Sequence, residues 1–268
     1  MPSRRVAPPS PLPTLTAAVL AVSIVSSAAA QRTETFTWSG RLASGRTFSV
    51  RGVNGDVRVE RASGGAIELT ATKRGRKDAP STVEIRVDEE GDGITVCAVY
   101  PRGQRAEGCG RGSGNNEDND VTVDFRVAVP DGVKVRAGTV NGDADVRDVT
   151  GDAEVSTVNG DAMVSSRGRA SATTVNGDAR AVIGARSWDD EITVRTVNGR
   201  ATAWVARDAK VTVRGSTVNG ALDTELPLTI SGKWGPKRIA GSLNGGGSTL
   251  VLETVNGDVE VRDGKPGR

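Results

Sequence analysis

The chain has 268 residues, with 35 Lys or Arg, 33 Asp or Glu, no histidine and only 3% aromatic side chains. Two of the bases, Arg4 and Arg5, lie in an acid-free leader, so the remainder carries 33 bases against 33 acids and is neutral. Neutrality argues against a nucleic-acid partner, which needs surplus Lys and Arg on one face. The missing histidine excludes Ser-His-Asp and Cys-His catalysis and the usual His-containing zinc sites.

Residues 1–30 read as a secretory signal peptide: a basic start, a mostly apolar stretch from Leu15 to Val25, and Ala28-Ala29-Ala30 before Gln31 as a small-residue cleavage site. A membrane anchor is the competing reading, opposed by an apolar run too short and too rich in Ala, Ser and Thr to span a bilayer. Ser3-Arg4-Arg5 echoes a twin-arginine signal without the rest of that pattern. The expected location is the periplasm, the cell surface or the medium, with no transmembrane segment in the mature chain. Residues 31–268 are expected to form a single all-β domain, less regular over 31–130 and regular over 131–268.

From Phe36 to Val59 apolar residues alternate, with the parity reset after Asn54-Gly55, as in strands with one buried face. Strands are expected again at 66–71, 83–87, 94–99 and 121–129, separated by glycine-rich turns. Cys97 and Cys109 are the only cysteines; in an exported chain the pair reads as a disulfide pinning a loop over about 97–120, with two free buried thiols as the alternative.

The regular part repeats one tetrapeptide. Thr139-Val140-Asn141-Gly142 returns at Thr157, Thr174, Thr196, Thr217 and Thr254, and looser copies end in Asn54-Gly55 and Asn244-Gly245. A spacing of roughly twenty residues marks a repeat architecture in which no unit buries its apolar face alone. Asn-Gly by itself suits hairpins, so an antiparallel meander, sandwich or barrel is the alternative. The preceding Thr and Val recur too, and identical residues at identical positions are what parallel stacking at about 4.8 Å requires. The expected fold is therefore a right-handed parallel β-helix or solenoid of about nine or ten coils, a rod about 45 Å long. Asn54, Asn141, Asn159, Asn176, Asn198, Asn219, Asn244 and Asn256 would mark its corners, with Thr and Asn turned inward and forming ladders.

With the Thr-Val-Asn-Gly-Asp repeats, the leader and the glycine-rich loop carrying Cys109, the chain from about Phe36 to Val261 resembles a bacterial family of exported β-helical envelope proteins. Those proteins are named as candidate adhesins and are built on a domain of unknown function. The resemblance implies a right-handed β-helix at the cell envelope and brings no catalytic residues. The copies at Arg200, Ala221 and Gly246 lack the final Asp, so no function of that Asp can require every coil.

Asp143, Asp161 and Asp178, like Asp56, Asp152 and Asp258, follow a turn glycine. Stacked carboxylates repel by about 1 kcal/mol per pair in water, which invites Arg neighbours or a calcium ladder; otherwise no cofactor is expected. Residues 115–120 offer a second set of oxygen ligands, or a solvated loop. Trp188 beside Asp189, Asp190 and Glu191 weakly resembles a sugar platform, although Trp188, Trp204 and Trp234 also suit packing or end-capping. The Val before each corner Asn has the parity opposite to the interior and is expected to be covered by the turn. Lys265 and Pro266 suit protection of a terminal edge strand.

The function expected is non-enzymatic: an adhesin-like scaffold binding an envelope protein or polysaccharide. The alternatives are a carbohydrate-active β-helix enzyme, which needs converging carboxylates, and an accessory component of envelope sensing.

Overall fold

The structure, a computed structural model, describes residues 32–91, 93–101, 109, 119–231 and 237–264. The expected signal peptide, most of the 97–120 loop, Trp234, Lys265 and Pro266 lie outside the described residues. Among those described, the only helical element is a three-residue 3-10 turn at Pro80–Thr82.

The chain begins with β1 (Arg32–Gly40), then β2 (Thr47–Arg51) and β3 (Val57–Arg61), a two-strand rung bent at Asn54. β4 (Ile67–Gly75) and β5 (Glu84–Glu90) lead into a second rung, β6 (Gly93–Val99) and β7 (Thr122–Val129). Four regular rungs follow: β8 (Lys134–Gly138) with β9 (Ala144–Val149), β10 (Ala153–Ser156) with β11 (Ala162–Ser166), β12 (Ala170–Thr173) with β13 (Ala179–Ile183), and β14 (Ile192–Arg195) with β15 (Ala201–Val205). A further rung, β16 (Val211–Asn219) and β17 (Leu222–Thr224), precedes a fold-back of β18 (Thr229–Ser231) and β19 (Lys237–Leu243); β20 (Ser248–Asn256) and β21 (Val259–Asp263) form the last rung.

Each rung gives one strand to each of two sheets. One has ten strands in the order β1-β4-β7-β3-β9-β11-β13-β15-β21-β17; the other has eleven, β18-β19-β16-β20-β14-β12-β10-β8-β2-β6-β5. Neighbouring rungs are parallel and in matching register, as where Ala162, Val164 and Ile183 of successive rungs align with Ala179, Ala181 and Val205. The sheets are mixed, because β1, β4, β5, β18 and β19 pair antiparallel at the ends.

The expected uninterrupted stack of nine or ten coils is corrected in two ways. Eight rungs are present among the described residues, and their spatial order departs from chain order at both ends. The β6–β7 rung lies outside β2–β3, although it comes later in the chain. The β20–β21 rung is inserted between β14–β15 and β16–β17, pairing in parallel with both. In each case the intervening sequence supplies antiparallel strands to the outermost rung: β4 and β5, which precede that rung in the chain, pair with β7 and β6, and β19, which follows it, pairs with β16.

Alternation explains the core. In β13 the residues Ala179, Ala181 and Ile183 point inward, while Arg180 and Val182 face out. The middle rungs bury small side chains such as Ala172, Ala181 and Ala203; larger ones, Phe48, Phe125, Leu250 and Leu252, fill the ends. Each buried Val or Leu stabilises the fold by about 1.5–3 kcal/mol relative to exposure, so the stack is held by many modest contributions. Trp38, which the sequence pattern did not place, stacks on Phe48 with centroids 6.3 Å apart and ties β1 to the core.

Candidate functional site

The repeated tetrapeptide builds one edge of the molecule, where each rung turns from one sheet into the other. Asn141 donates its side-chain amide to Asn54, Asn159 to Asn141, Asn176 to Asn159 and Asn198 to Asn176, each at 2.8 Å. Asn256 donates to Asn198 at 2.8 Å and Asn219 to Asn256 at 2.9 Å, completing a column of seven. The column is exposed from Asn141 onward, which corrects the expectation that it points inward. An Asn amide has two donor hydrogens and two acceptor lone pairs, so each one in mid-column keeps a donor and an acceptor for solvent.

Asn244 is not in this column. It sits in the β19–β20 turn at φ 50°, donating to the carbonyls of Arg207 and Ala209 at 2.8 and 2.9 Å. Its Asn-Gly serves an antiparallel turn, where a left-handed residue is needed and Asn tolerates it.

Threonine, glycine and aspartate each have a distinct task. The threonines are 1–6% exposed and do not bond one another, correcting the expected Thr ladder. Thr157, for example, donates to the carbonyl of Gly142 in the adjacent rung at 2.9 Å, and Thr174 to Gly160 at 2.8 Å. The glycines stack backbone on backbone: Gly160 has φ 148°, and a Cβ there would overlap the carbonyl of Gly142. Each aspartate accepts the backbone N–H of the residue at its own position in the next rung: Asp161 N–H to Asp143 and Asp178 N–H to Asp161, at 2.9 and 2.8 Å. Arg200 N–H does the same to Asp178 at 2.8 Å. The second carboxylate oxygens of Asp56, Asp161, Asp178 and Asp258 meet arginine, Arg180 bridging Asp161 and Asp178. Ala221 lacks a carboxylate where no further rung follows to need one.

Valine is the member of the motif with no such task. Val158, Val175, Val197, Val255 and Val218 are 36–46% exposed, Val140 is half-buried, and only Val53, in the looser copy, is buried. The expected covering by the turn is overturned: the valines form an exposed apolar column beside the asparagines.

Other candidate residues have structural partners. Cys97 and Cys109 are joined, and the carbonyl of Cys109 accepts from Arg51 at 2.8 Å. Within the 115–120 run, residues 115–118 lie outside the described residues. Asn119 bonds Thr82 and the N–H of Val121, and Asp120 accepts the backbone N–H groups of Arg76, Lys77 and Asp78. Those donors hold the Asp120 carboxyl below its ordinary value. Trp188 is 8% exposed, with its indole N–H on the carbonyl of Thr249, so it packs and offers no sugar platform. Trp204 faces outward on the ten-stranded sheet and is half-buried.

Among the described residues, shallow hollows lie on the outer faces of both sheets, and another, about 680 Å³, lies between Leu42, Arg61, Pro130 and Asp131. The hollow on the ten-stranded sheet, about 400 Å³, lies over β3, β7, β9 and β11 and is lined by Arg58, Arg126, Asp143, Asp145, Arg147 and Met163. Asp145 is 5% exposed and bonds Arg147, whose guanidinium is pushed to a higher pKa by that contact. The hollow on the eleven-stranded sheet, about 480 Å³, lies between Lys134, Arg136, Glu154, Arg169 and Glu191. Arg136 pairs Glu154, and Arg169 pairs Asp152. Among the described residues no three His, Cys, Asp or Glu side chains are grouped to hold a metal, and no helix is long and apolar enough to cross a membrane.

No protein-family model and no curated protein matches the sequence. Among solved structures, a candidate cell adhesion protein from Clostridium sporogenes is similar at 10% identity, over 87% of this chain and 100% of that one, with a TM-score of 0.45. A candidate adhesin from Bacteroides fragilis is similar at 11% identity over 85% and 97%, TM-score 0.37. A candidate lipid-binding protein from Parabacteroides distasonis is similar at 10% identity over 86% and 97%, TM-score 0.24. Likeness this distant assigns no activity to the chain.

Proposed function

We propose that the protein is an exported, non-enzymatic, adhesin-like scaffold of the cell envelope, its rungs wound as a right-handed β-solenoid. In this reading the leader at residues 1–30 sends it to the periplasm, the surface or the medium, and the corner edge meets an envelope protein or polysaccharide. One observation carries the reading: Thr, Asn, Gly and Asp of the motif each hold one rung to the next, whereas Val is repeated as faithfully and left exposed. An apolar residue kept at an exposed position in rung after rung is the mark of a contact surface. Its neighbours supply free amide donors and acceptors at the strand spacing of about 4.8 Å, a pattern suited to an extended partner.

The test replaces Val158, Val175 and Val197 by Ser and measures binding of the labelled protein to envelope fractions, separated into protein and polysaccharide. The wild type is expected to bind one fraction, and the triple variant at least about tenfold less, a loss of about 1.4 kcal/mol, with an unchanged melting temperature. Equal binding by the folded variant would reject the valine column as the contact surface.

A further inference from the structure

Among the described residues four strands end the two sheets, and three of them are protected. β17 and β18 have three residues each. β5 has seven, but four are acids: Glu84, Asp88, Glu89 and Glu90. β1 differs from all three. It runs for nine residues, Arg32–Gly40, pairs along its whole length with β4, and among the described residues has no strand on its other side. It has no proline and no bulge, and its two charges, Arg32 and Glu34, lie toward its beginning; Glu34 is already paired with the buried Lys73 at 2.6 Å. Unpaired N–H and C=O groups along such an edge are a template for another strand.

The side chains of β1 suit a copy of itself. Thr33, Thr35, Thr37 and Ser39 form an exposed uncharged row on the outer face, and Phe36 and Trp38 are half-buried on the inner face. We propose that β1 pairs antiparallel with β1 of a second copy of this chain, about a two-fold axis at Phe36, joining two ten-stranded sheets into one. Thr35 then lies opposite Thr37 of the second copy, Thr33 opposite Ser39, and Phe36 opposite its own equivalent; such cross-strand pairs are favourable. Nine paired residues supply about nine backbone hydrogen bonds, the number a standard interface carries.

The other sheet does not obstruct this. Beyond the β6–β7 rung the ten-stranded sheet continues through β4 and β1, while the eleven-stranded sheet continues through β5 alone. β1 therefore overhangs by one strand. The acidic β5 strands of the two copies stand about three strand spacings apart, about 14 Å, beyond the screening length of about 8 Å at physiological salt. The inference concerns a different surface from the valine column and stands or falls separately from it.

The experiment measures molar mass in solution by light scattering for the wild type, for Thr35→Glu with Thr37→Glu, and for Thr35→Lys with Thr37→Lys. Both positions are exposed, so each variant is expected to melt with the wild type. The wild type is expected at twice the chain mass and each charged variant at half that value, because like charges face each other across the seam. An equal mixture of the two variants is expected to regain the doubled mass. A monomeric wild type, a charged variant that stays dimeric, or a mixture that stays monomeric would each overturn the proposal.

Discussion

Asn256 and Asn198 are 58 residues apart in the chain and hydrogen-bonded at 2.8 Å in space. Asn219, which lies between them in sequence, stacks on the far side of Asn256. The corner column is thus continuous although the chain does not visit its rungs in order, and the stabilising contacts can be tested singly.

An interior asparagine makes two amide bonds along the column. Asn159→Ala removes both and is expected to lower stability by about 1–2 kcal/mol at about 1 kcal/mol per bond. Asn219→Ala, at the end of the column, removes one and is expected to cost about half as much. Urea denaturation of the two variants under the same conditions measures the difference.

Close backbone stacking leaves no room at the turn glycines. Gly160→Ala places a methyl into the carbonyl of Gly142 at a φ that alanine rarely adopts, and a cost above about 2 kcal/mol is expected. Gly64→Ala, whose Cβ meets nothing within 4 Å, serves as the control, with stability within about 0.5 kcal/mol of the wild type. The same denaturation experiment reads both.

The corner carboxylates are engaged by backbone N–H groups and arginines. Millimolar calcium is expected to leave the melting temperature unchanged; a clear rise would reinstate a calcium ladder through Asp143, Asp161 and Asp178. Asp178→Asn keeps an acceptor for the N–H of Arg200 and is expected to cost less than Asp178→Ala, which leaves that donor without its partner.

Acid should act through Asp120 and Asp131. Backbone donors from residues 76–78 hold the first below its ordinary 3.8, and a bond from Arg61 holds the second below the same value. A lowered carboxylate adds stability that is complete above its unfolded value and is lost as the pH falls through the folded one. Asp120→Asn with Asp131→Asn is therefore expected to flatten the decline in stability below about pH 4. Chemical denaturation across that range, compared with the wild type, gives the slope.

Cys97 and Cys109 stand 12 residues apart in sequence. Closing a loop of that size is worth about 3 kcal/mol in the chain-entropy picture, and Cys97→Ala with Cys109→Ala is expected to lose that amount, read from the denaturation midpoint.

The corner column could be read from sequence because Asn, Gly and Asp recur where their chemistry needs a copy directly above or below. Rung order could not: a repeated motif says that like stacks on like and carries no address for which copy comes next. Asn244 shows the same limit from another side, since Asn-Gly meets the demands of a tight antiparallel turn as readily as those of a corner. The inward placement of asparagine fails for one reason, whereas parity alone puts valine outside, where it is found. Strand parity was extended past Thr157 and its equivalents, where the backbone leaves the sheet to turn. Threonine remained buried, but its hydroxyl found the carbonyl of a neighbouring glycine, a partner that no side-chain pattern reveals.

The insertion of β20–β21 between two earlier rungs bears on how the protein is made. A chain emerging from its amino end presents β16–β17 while the neighbouring berth is still vacant, so the outer segment has nothing on its inner side to dock against. Closure waits for the final stretch, and a product cut short before residue 248 would lack the keystone and not just an end piece. The stack is thus incomplete in its interior until its last-made stretch is present.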